Sequence, residues 1–111
     1  MNNEMEKSQD TVHAQPLCDI IEQTGAVRIL MDLPGVNADT LDIDVKERQL
    51  HISAAMPGLW QGRKVEYRRS FQLSEDIDAA KISAKIRDGV LELTLPKMES
   101  AQVHKIAVAR E

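Results

Sequence analysis

The sequence predicts an all-β protein with the architecture of an antiparallel β-sandwich. Apolar residues alternate with polar ones along several short runs, which is the period of a half-buried strand. Turn-forming residues separate these runs about every 8–12 residues, and no long segment shows the apolar spacing of a helix. Short strands at this spacing favour two packed sheets over a helical or βαβ fold.

Six alternating runs account for the predicted strands, and an apolar triplet, Ile106-Ala107-Val108, follows near the C-terminus. The apolar sides of the six runs are Val27, Ile29, Met31 and Leu33; Leu41, Ile43 and Val45; Leu50, Ile52 and Ala54; Val65, Tyr67, Arg69, Phe71 and Leu73; Ile82, Ala84 and Ile86; and Leu91, Leu93 and Leu95. Pro34-Gly35 ends the first run, and Glu47-Arg48 forms a short turn. Asp88-Gly89 predicts a two-residue hairpin, because a type I′ turn needs positive φ at both central residues.

The chain of 111 residues has room for one domain. We expect a short flexible N-terminal arm over residues 1–15, the sandwich over 16–97 and a C-terminal extension over 98–111. No apolar run is long enough for a membrane helix, and the polar N-terminus does not resemble a signal peptide. A single cysteine, Cys18, excludes an intramolecular disulfide and suits a reducing compartment, so we expect a cytoplasmic protein without a membrane partner.

Charge and motif content argue against several function classes. The net charge of −4 and the 3% of aromatic residues disfavour a nucleic-acid partner. His13, Cys18, His51 and His104 do not have the spacing of metal ligands. The sequence contains neither a phosphate-binding G-x-x-x-x-G-K-[ST] loop nor a G-x-S-x-G nucleophile elbow. We therefore expect no catalytic residues, no metal and no cofactor, and a protein that is not an enzyme.

Four motifs, taken together, resemble the small heat-shock proteins of the Hsp20/α-crystallin family over roughly Pro16 to Val108. The segment 32–36 (DLPGV) is similar to a turn of the family, and 69–73 (RSFQL) to its R-S-F-x-L strand. The segment 84–91 (AKIRDGVL), followed by 95–97 (LPK), matches the signature A-x-x-x-[ND]-G-V-L and L-P-K. The triplet 106–108 resembles the C-terminal I-x-[I/V] motif. The four occur in the order of the family.

The resemblance implies an immunoglobulin-like sandwich, the α-crystallin domain, that binds non-native proteins without ATP. It also implies an apolar groove at one sheet edge that receives the tail motif of a partner, Ile106 and Val108, and client segments. The strands that would border the groove carry Leu41, Ile43, Val45, Ile82, Ala84 and Ile86. From periodicity alone, the same residues could simply face the core. Ile106 and Val108 could likewise form a seventh strand within their own subunit.

Three further residues are candidates for a dimer interface. Arg69 lies on the apolar side of its run, where a charge needs a partner, and the resemblance places the matching arginine at or near a dimer contact. Leu59 and Trp60 add apolar bulk to the predicted loop at 56–64, either folded over a sheet edge or exposed to a partner. In bacterial and plant members of the family, this region carries a strand exchanged between partners, and here it is short.

The leading interpretation is an ATP-independent holdase whose partners are further copies of itself and unfolding client proteins. One alternative is an adaptor of the p23/CS kind, which shares the sandwich, binds one folded partner and generally lacks the tail motif. Another is a companion subunit that assembles with a longer, paralogous small heat-shock protein, which the short N-terminal arm would suit.

Overall fold

The computed structural model describes residues 11–103 and 105–111, and strands dominate this part of the chain. Its strands are β1 (Thr11–Ala14), β2 (Cys18–Gln23), β3 (Ala26–Asp32), β4 (Leu41–Lys46), β5 (Gln49–Ala55), β6 (Lys64–Gln72), β7 (Ser83–Arg87) and β8 (Val90–Pro96). Three single-turn 3₁₀ helices lie at Ala38–Thr40, Ala79–Lys81 and Glu99–Ala101. Within the described residues, no helix is both long and apolar enough to cross a membrane.

The strands form two four-stranded sheets, with the orders β1-β6-β5-β4 and β2-β3-β8-β7. All pairs are antiparallel except β1 with β6. The inward sides of the strands meet in one apolar core, at whose centre Leu33, Leu50, Leu91 and Leu93 are fully buried. The predicted antiparallel β-sandwich is thus confirmed, because alternation along each strand leaves one apolar face per sheet to bury.

Two hairpin turns have the backbone that the sequence predicts. Glu47 and Arg48 both have positive φ, as do Asp88 and Gly89, so each pair forms a two-residue turn of the type I′ kind. At Gly89 a side chain would also be crowded by backbone, since an added Cβ would lie 3.3 Å from the carbonyl oxygen of Leu33. The Leu33 amide donates a 2.7 Å hydrogen bond to the Gly89 carbonyl, which fixes this turn against the end of the first predicted strand.

The structure adds two N-terminal strands to the prediction. Residues 11–14, which we expected to belong to a flexible arm, form β1 beside the first half of β6, so the expectation of an unordered arm is wrong for these four residues. Residues 1–10 of that arm lie outside the described residues. β1 has only four residues and β2 is exposed apart from Cys18, which is why side-chain alternation does not reveal them. Ile20 and Ile21 of β2 are exposed on an edge strand rather than buried.

The described residues after β8 add no strand to either sheet. Ile106-Ala107-Val108 does not form a seventh strand, and both its aliphatic ends are exposed. The sandwich therefore ends with β8, and the last residues extend away from it.

Candidate binding groove and C-terminal hook

An apolar groove opens between β4 and β7, the last strands of their respective sheets. It encloses about 280 Å³. The groove is lined by Ala38, Leu41, Ile43, Ala84, Lys85, Ile86 and Leu91. Because β4 and β7 each pair with only one strand among the described residues, both also present a backbone edge that these residues leave free beside this space. The groove therefore combines apolar walls with main-chain donors and acceptors that a further extended segment could bind.

The structure brings four of the six predicted groove residues together. Leu41 and Ile43 form the β4 wall, while Ala84 and Ile86 form the β7 wall. Three of them, Leu41, Ile43 and Ile86, are half-buried and also pack on the core. The same side chains therefore line the groove and contribute to the core, so the two roles considered for these strands are compatible. The side chains face inward and remain accessible because they lie at the open margin of the sandwich.

The other two predicted residues do not line this cavity. Val45 lies one residue before the end of β4 and is exposed, beside the turn to β5. Ile82 directly follows the second 3₁₀ helix and packs against the core before β7 begins. The groove is therefore shorter than the two alternating runs. The end of β4 leads into the turn to β5, and the residue before β7 belongs to the end of a 3₁₀ turn.

Three lining residues were absent from the prediction. Leu91 forms the floor, and the hairpin register could have revealed it, since a two-residue turn at Asp88-Gly89 pairs Ile86 with Leu91. Lys85 contributes to the rim from the outward side of β7. Ala38 comes from the first 3₁₀ helix, which has no alternating pattern, so no signal in the sequence would have found it.

The two rims of the groove carry opposite charges. Asp42 and Asp44 are exposed on the outward side of β4, and the described residues provide no ion pair to either carboxylate. On the β7 side, the Lys85 ammonium lies 3.5 Å from a carboxylate oxygen of Glu92. The Arg28 guanidinium, which donates a hydrogen bond to Glu92, holds the pKa of that carboxyl below its ordinary value of 4.5, and Lys85 adds to the effect. The acidic rim is therefore available to a basic ligand, whereas Lys85 is already paired.

The C-terminal segment carries an aliphatic hook, Ile106 and Val108, that the chain leaves in solvent. The exposed fraction is 86% for Ile106 and 91% for Val108. The preceding segment is tied to the sandwich at its beginning, where the Lys97 amide donates a 2.9 Å hydrogen bond to the Gly25 carbonyl. Among the described residues the hook does not enter the groove, and each of the two presents apolar surface that association would bury.

The candidate interface residues lie away from the groove. Arg69 is half-buried on β6, with its guanidinium carbon 5.1 Å from the centre of the Phe71 ring. This cation–π contact stabilises part of the charge that its position on the apolar side of the strand removes from water. Leu59 and Trp60 are exposed near a small two-residue hairpin in which Trp60 pairs with Arg63. The loop contains no strand apart from this bridge, and it presents a short apolar tip.

Metal-binding geometry is also absent from residues 11–103 and 105–111. No cluster of three or more His, Cys, Asp or Glu side chains in these ranges could hold an ion. Cys18, on the edge strand β2, is partly buried and unpaired with any other cysteine, since the chain has only one.

Comparison with known proteins identifies relatives of the whole sandwich. A model of the Hsp20/alpha crystallin family matches residues 19–109. The 18 kDa antigen 2 of Mycobacterium avium is 40% identical over 85 residues, which are 69% of this chain and 62% of that protein. A probable 15 kDa heat shock protein of Leptospira interrogans is 37% identical over 90 residues, covering 74% of this chain and 69% of that protein.

Solved structures show the same fold. Heat shock protein 16.0 from Schizosaccharomyces pombe superposes with a TM-score of 0.69 at 25% identity, covering 87% of this chain and 99% of that one. A small heat-shock protein from Xylella fastidiosa superposes with a TM-score of 0.70 at 22% identity, covering 89% and 100% of the two chains. The chain spans less than two thirds of the length of its mycobacterial relatives. It belongs to the Hsp20/α-crystallin family, the small heat-shock proteins.

Proposed function

We propose that this protein is an ATP-independent holdase, which binds unfolding proteins reversibly and limits their aggregation. The observation that carries the proposal is the open groove between β4 and β7, in a chain whose own aliphatic hook remains in solvent. An unfolding protein exposes extended apolar segments, and such a segment could add to a free strand edge while placing alternate side chains in the groove. Membership of the small heat-shock family supports this interpretation.

The affinity of one hook for one groove should be low. Two aliphatic side chains bury about 100–150 Å² each, which at about 25 cal/mol per Å² contributes roughly 5–8 kcal/mol before the costs of association and ordering, which are of similar size, are subtracted. A single contact of this strength exchanges readily, whereas several hooks in one assembly act together through their effective concentration. Weak contacts would allow client segments to replace hooks when clients become abundant.

The proposed partners are therefore other copies of this chain and non-native proteins. The hook of one subunit would occupy the groove of another, and Arg69, Leu59 and Trp60 remain our candidates for a separate dimer contact. The small heat-shock protein from Xylella fastidiosa has a distinct high order structure, which supports testing this chain for self-assembly. The single cysteine and the acidic net charge suit a cytoplasmic chaperone.

The deciding experiment measures mass and chaperone activity together. We expect the wild-type chain to suppress light scattering by a heat-unfolding client, and to be larger than a monomer in light-scattering mass measurements. Replacing both Ile106 and Val108 by serine should lower the mass and leave the circular dichroism spectrum of the sandwich unchanged, because both side chains are exposed. A matched control replaces the neighbouring Ala107 by serine.

Two other results would redirect the proposal. A monomer that leaves client aggregation unaffected at excess concentration would contradict the holdase and favour the p23/CS-like adaptor, although such domains generally lack the hook. A chain that is inactive alone but changes the particle size of a longer small heat-shock protein would be the companion subunit.

A further inference from the structure

We infer that the hook docks antiparallel to β4, with Lys105 of one chain beside Asp44 of another, so that the acidic rim selects aliphatic segments preceded by a basic residue. This inference rests on the proposed contact between groove and hook. It adds a direction, a register and a charge requirement that apolar complementarity does not provide.

The lining of the groove limits the register. Ile43 and Leu41 face the cavity, whereas Val45 does not, so the two hook side chains have two positions along β4. In an antiparallel alignment Ile106 lies opposite Ile43 and Val108 opposite Leu41. The same alignment places Lys105 opposite Asp44 and Ala107 opposite Asp42, on the outward side of the extended sheet.

A parallel alignment uses the same two positions but loses this contact. Ile106 would then lie opposite Leu41 and Val108 opposite Ile43. Lys105 would lie beside Thr40, and Asp44 would lie opposite Ala109, which cannot neutralise it. The only oppositely charged residues directly across from each other are then Glu111 and Lys46, three residues beyond the anchored Val108, at the chain end. In the antiparallel alignment the Lys105–Asp44 pair lies next to Ile106, which the groove holds in place. An ion pair beside a held residue is better ordered than one at the chain end, so the antiparallel alignment is favoured.

Charge also favours β4 over β7 as the strand that the hook follows. The β7 rim carries Lys85 and Arg87, which would repel Lys105. Both are already beside carboxylates, with Lys85 3.5 Å from Glu92 and Arg87 3.7 Å from Asp88. Asp44 is exposed and has no such neighbour among the described residues, so Lys105 would supply its first ionic partner.

Disulfide trapping tests the direction in the full-length chain. With Cys18 replaced by serine, one variant carries Asp44→Cys and Lys105→Cys, and the other carries Thr40→Cys and Lys105→Cys. Oxidised glutathione is the oxidant, and covalently linked subunits are counted on a non-reducing gel. The antiparallel register predicts the higher yield for the Asp44 pair. A higher yield for the Thr40 pair, or equal yields, would overturn it.

Peptide binding tests the charge requirement. The receptor is the full chain with Ile106→Ser and Val108→Ser, which cannot supply its own hook, and the probe is a fluorescent peptide of residues 102–111. We expect Asp44→Lys in the receptor to weaken binding about three- to tenfold, and Lys105→Glu in the peptide to restore it. Asp42→Lys is the matched control, because it faces Ala107, and its effect should be smaller.

The results separate the inference from the proposed function. If the peptide binds equally to the Asp44→Lys and Asp42→Lys receptors, the charge requirement is wrong while the groove–hook contact stands. Two results together would contradict the groove–hook contact itself. The peptide would not bind the receptor at all, and the chain with Ile106→Ser and Val108→Ser would have the same assembly mass as the wild type.

Discussion

Glu92 illustrates how one surface carboxylate ties three neighbouring strands together. It lies on β8 between Arg28 of β3 and Lys85 of β7, and contacts both. Its pKa is lowered from 4.5 chiefly by the hydrogen bond from Arg28, so the folded state binds this proton less tightly than the unfolded state. The resulting stabilisation is complete above pH 4.5 and is lost as the pH falls through the lowered folded value.

We expect Glu92→Gln to destabilise the fold at pH 7 and to have a smaller effect at pH 3. Urea denaturation at the two pH values measures the difference in unfolding free energy between wild type and variant. Glu75→Gln is the control, since Glu75 is exposed and has no ion pair among the described residues. An effect of Glu92→Gln that does not change with pH would contradict the proposed role of the charge.

Gly89 and Gly58 provide a matched pair for separating backbone strain from steric crowding. Both have a φ of +75°, but an added Cβ meets backbone atoms of Leu33 and Pro34 at 3.3 Å only at Gly89, and meets nothing within 4 Å at Gly58. Alanine at Gly58 should cost about 1 kcal/mol from φ alone. Alanine at Gly89 should cost more, because backbone must move. Equal losses in thermal denaturation would show that the close approach is unimportant.

At the scale of elements, Arg48 joins the β4–β5 turn to the loop that follows β6. Its guanidinium donates to the carbonyl of Ser74 and, at 2.9 Å, to that of Ile77, and its own carbonyl accepts from Leu73 at 2.8 Å. Arg48→Asn keeps a residue that tolerates positive φ but removes both side-chain bonds, and should cost about 1–3 kcal/mol in chemical denaturation. The neighbouring Glu47→Asn, at the other positive-φ position, should change stability little.

The elements also show what a sequence pattern can and cannot predict. β3 to β8 follow from alternation because each directs its apolar side chains to one face of its sheet, and the hairpin at Asp88-Gly89 follows from the φ values that it requires. β1 and β2 were not predicted, since β1 has only four residues and β2 is exposed apart from Cys18, so neither shows a run of alternating buried side chains. For the groove, the family resemblance indicated the two bordering strands, and alternation named their inward residues. Neither the contribution of Ala38 nor the absence of Val45 from the lining could be inferred, because these depend on how a 3₁₀ turn and a hairpin end the strands.

At the scale of the whole molecule, the chain has two apolar surfaces that could cover each other, the groove and the hook, and both are accessible to solvent. The groove lies at the margin of the sandwich, and the hook extends from the end of β8 beyond the segment tied at Lys97. An exposed apolar edge is ordinarily an aggregation hazard unless something covers it. If hooks of other copies provide the cover, the assembly is held by many weak contacts, so its subunits should exchange without unfolding.

Subunit exchange gives a direct measure of this arrangement. In a chain with Cys18→Ser and Glu75→Cys, the label lies at an exposed position outside the core. Two populations labelled there with a donor or an acceptor dye should develop energy transfer after mixing, at a rate limited by the release of hooks. Val108→Ala shortens one hook side chain and should speed the exchange several-fold, since it removes two of the seven side-chain carbons that each hook places in a groove. Val103→Ala is the control, because Val103 is equally exposed but lies outside the hook. Exchange at the same rate in wild type and in Val108→Ala would mean that contacts other than the hook hold the subunits together, with the β6 face around Arg69 the first place to look.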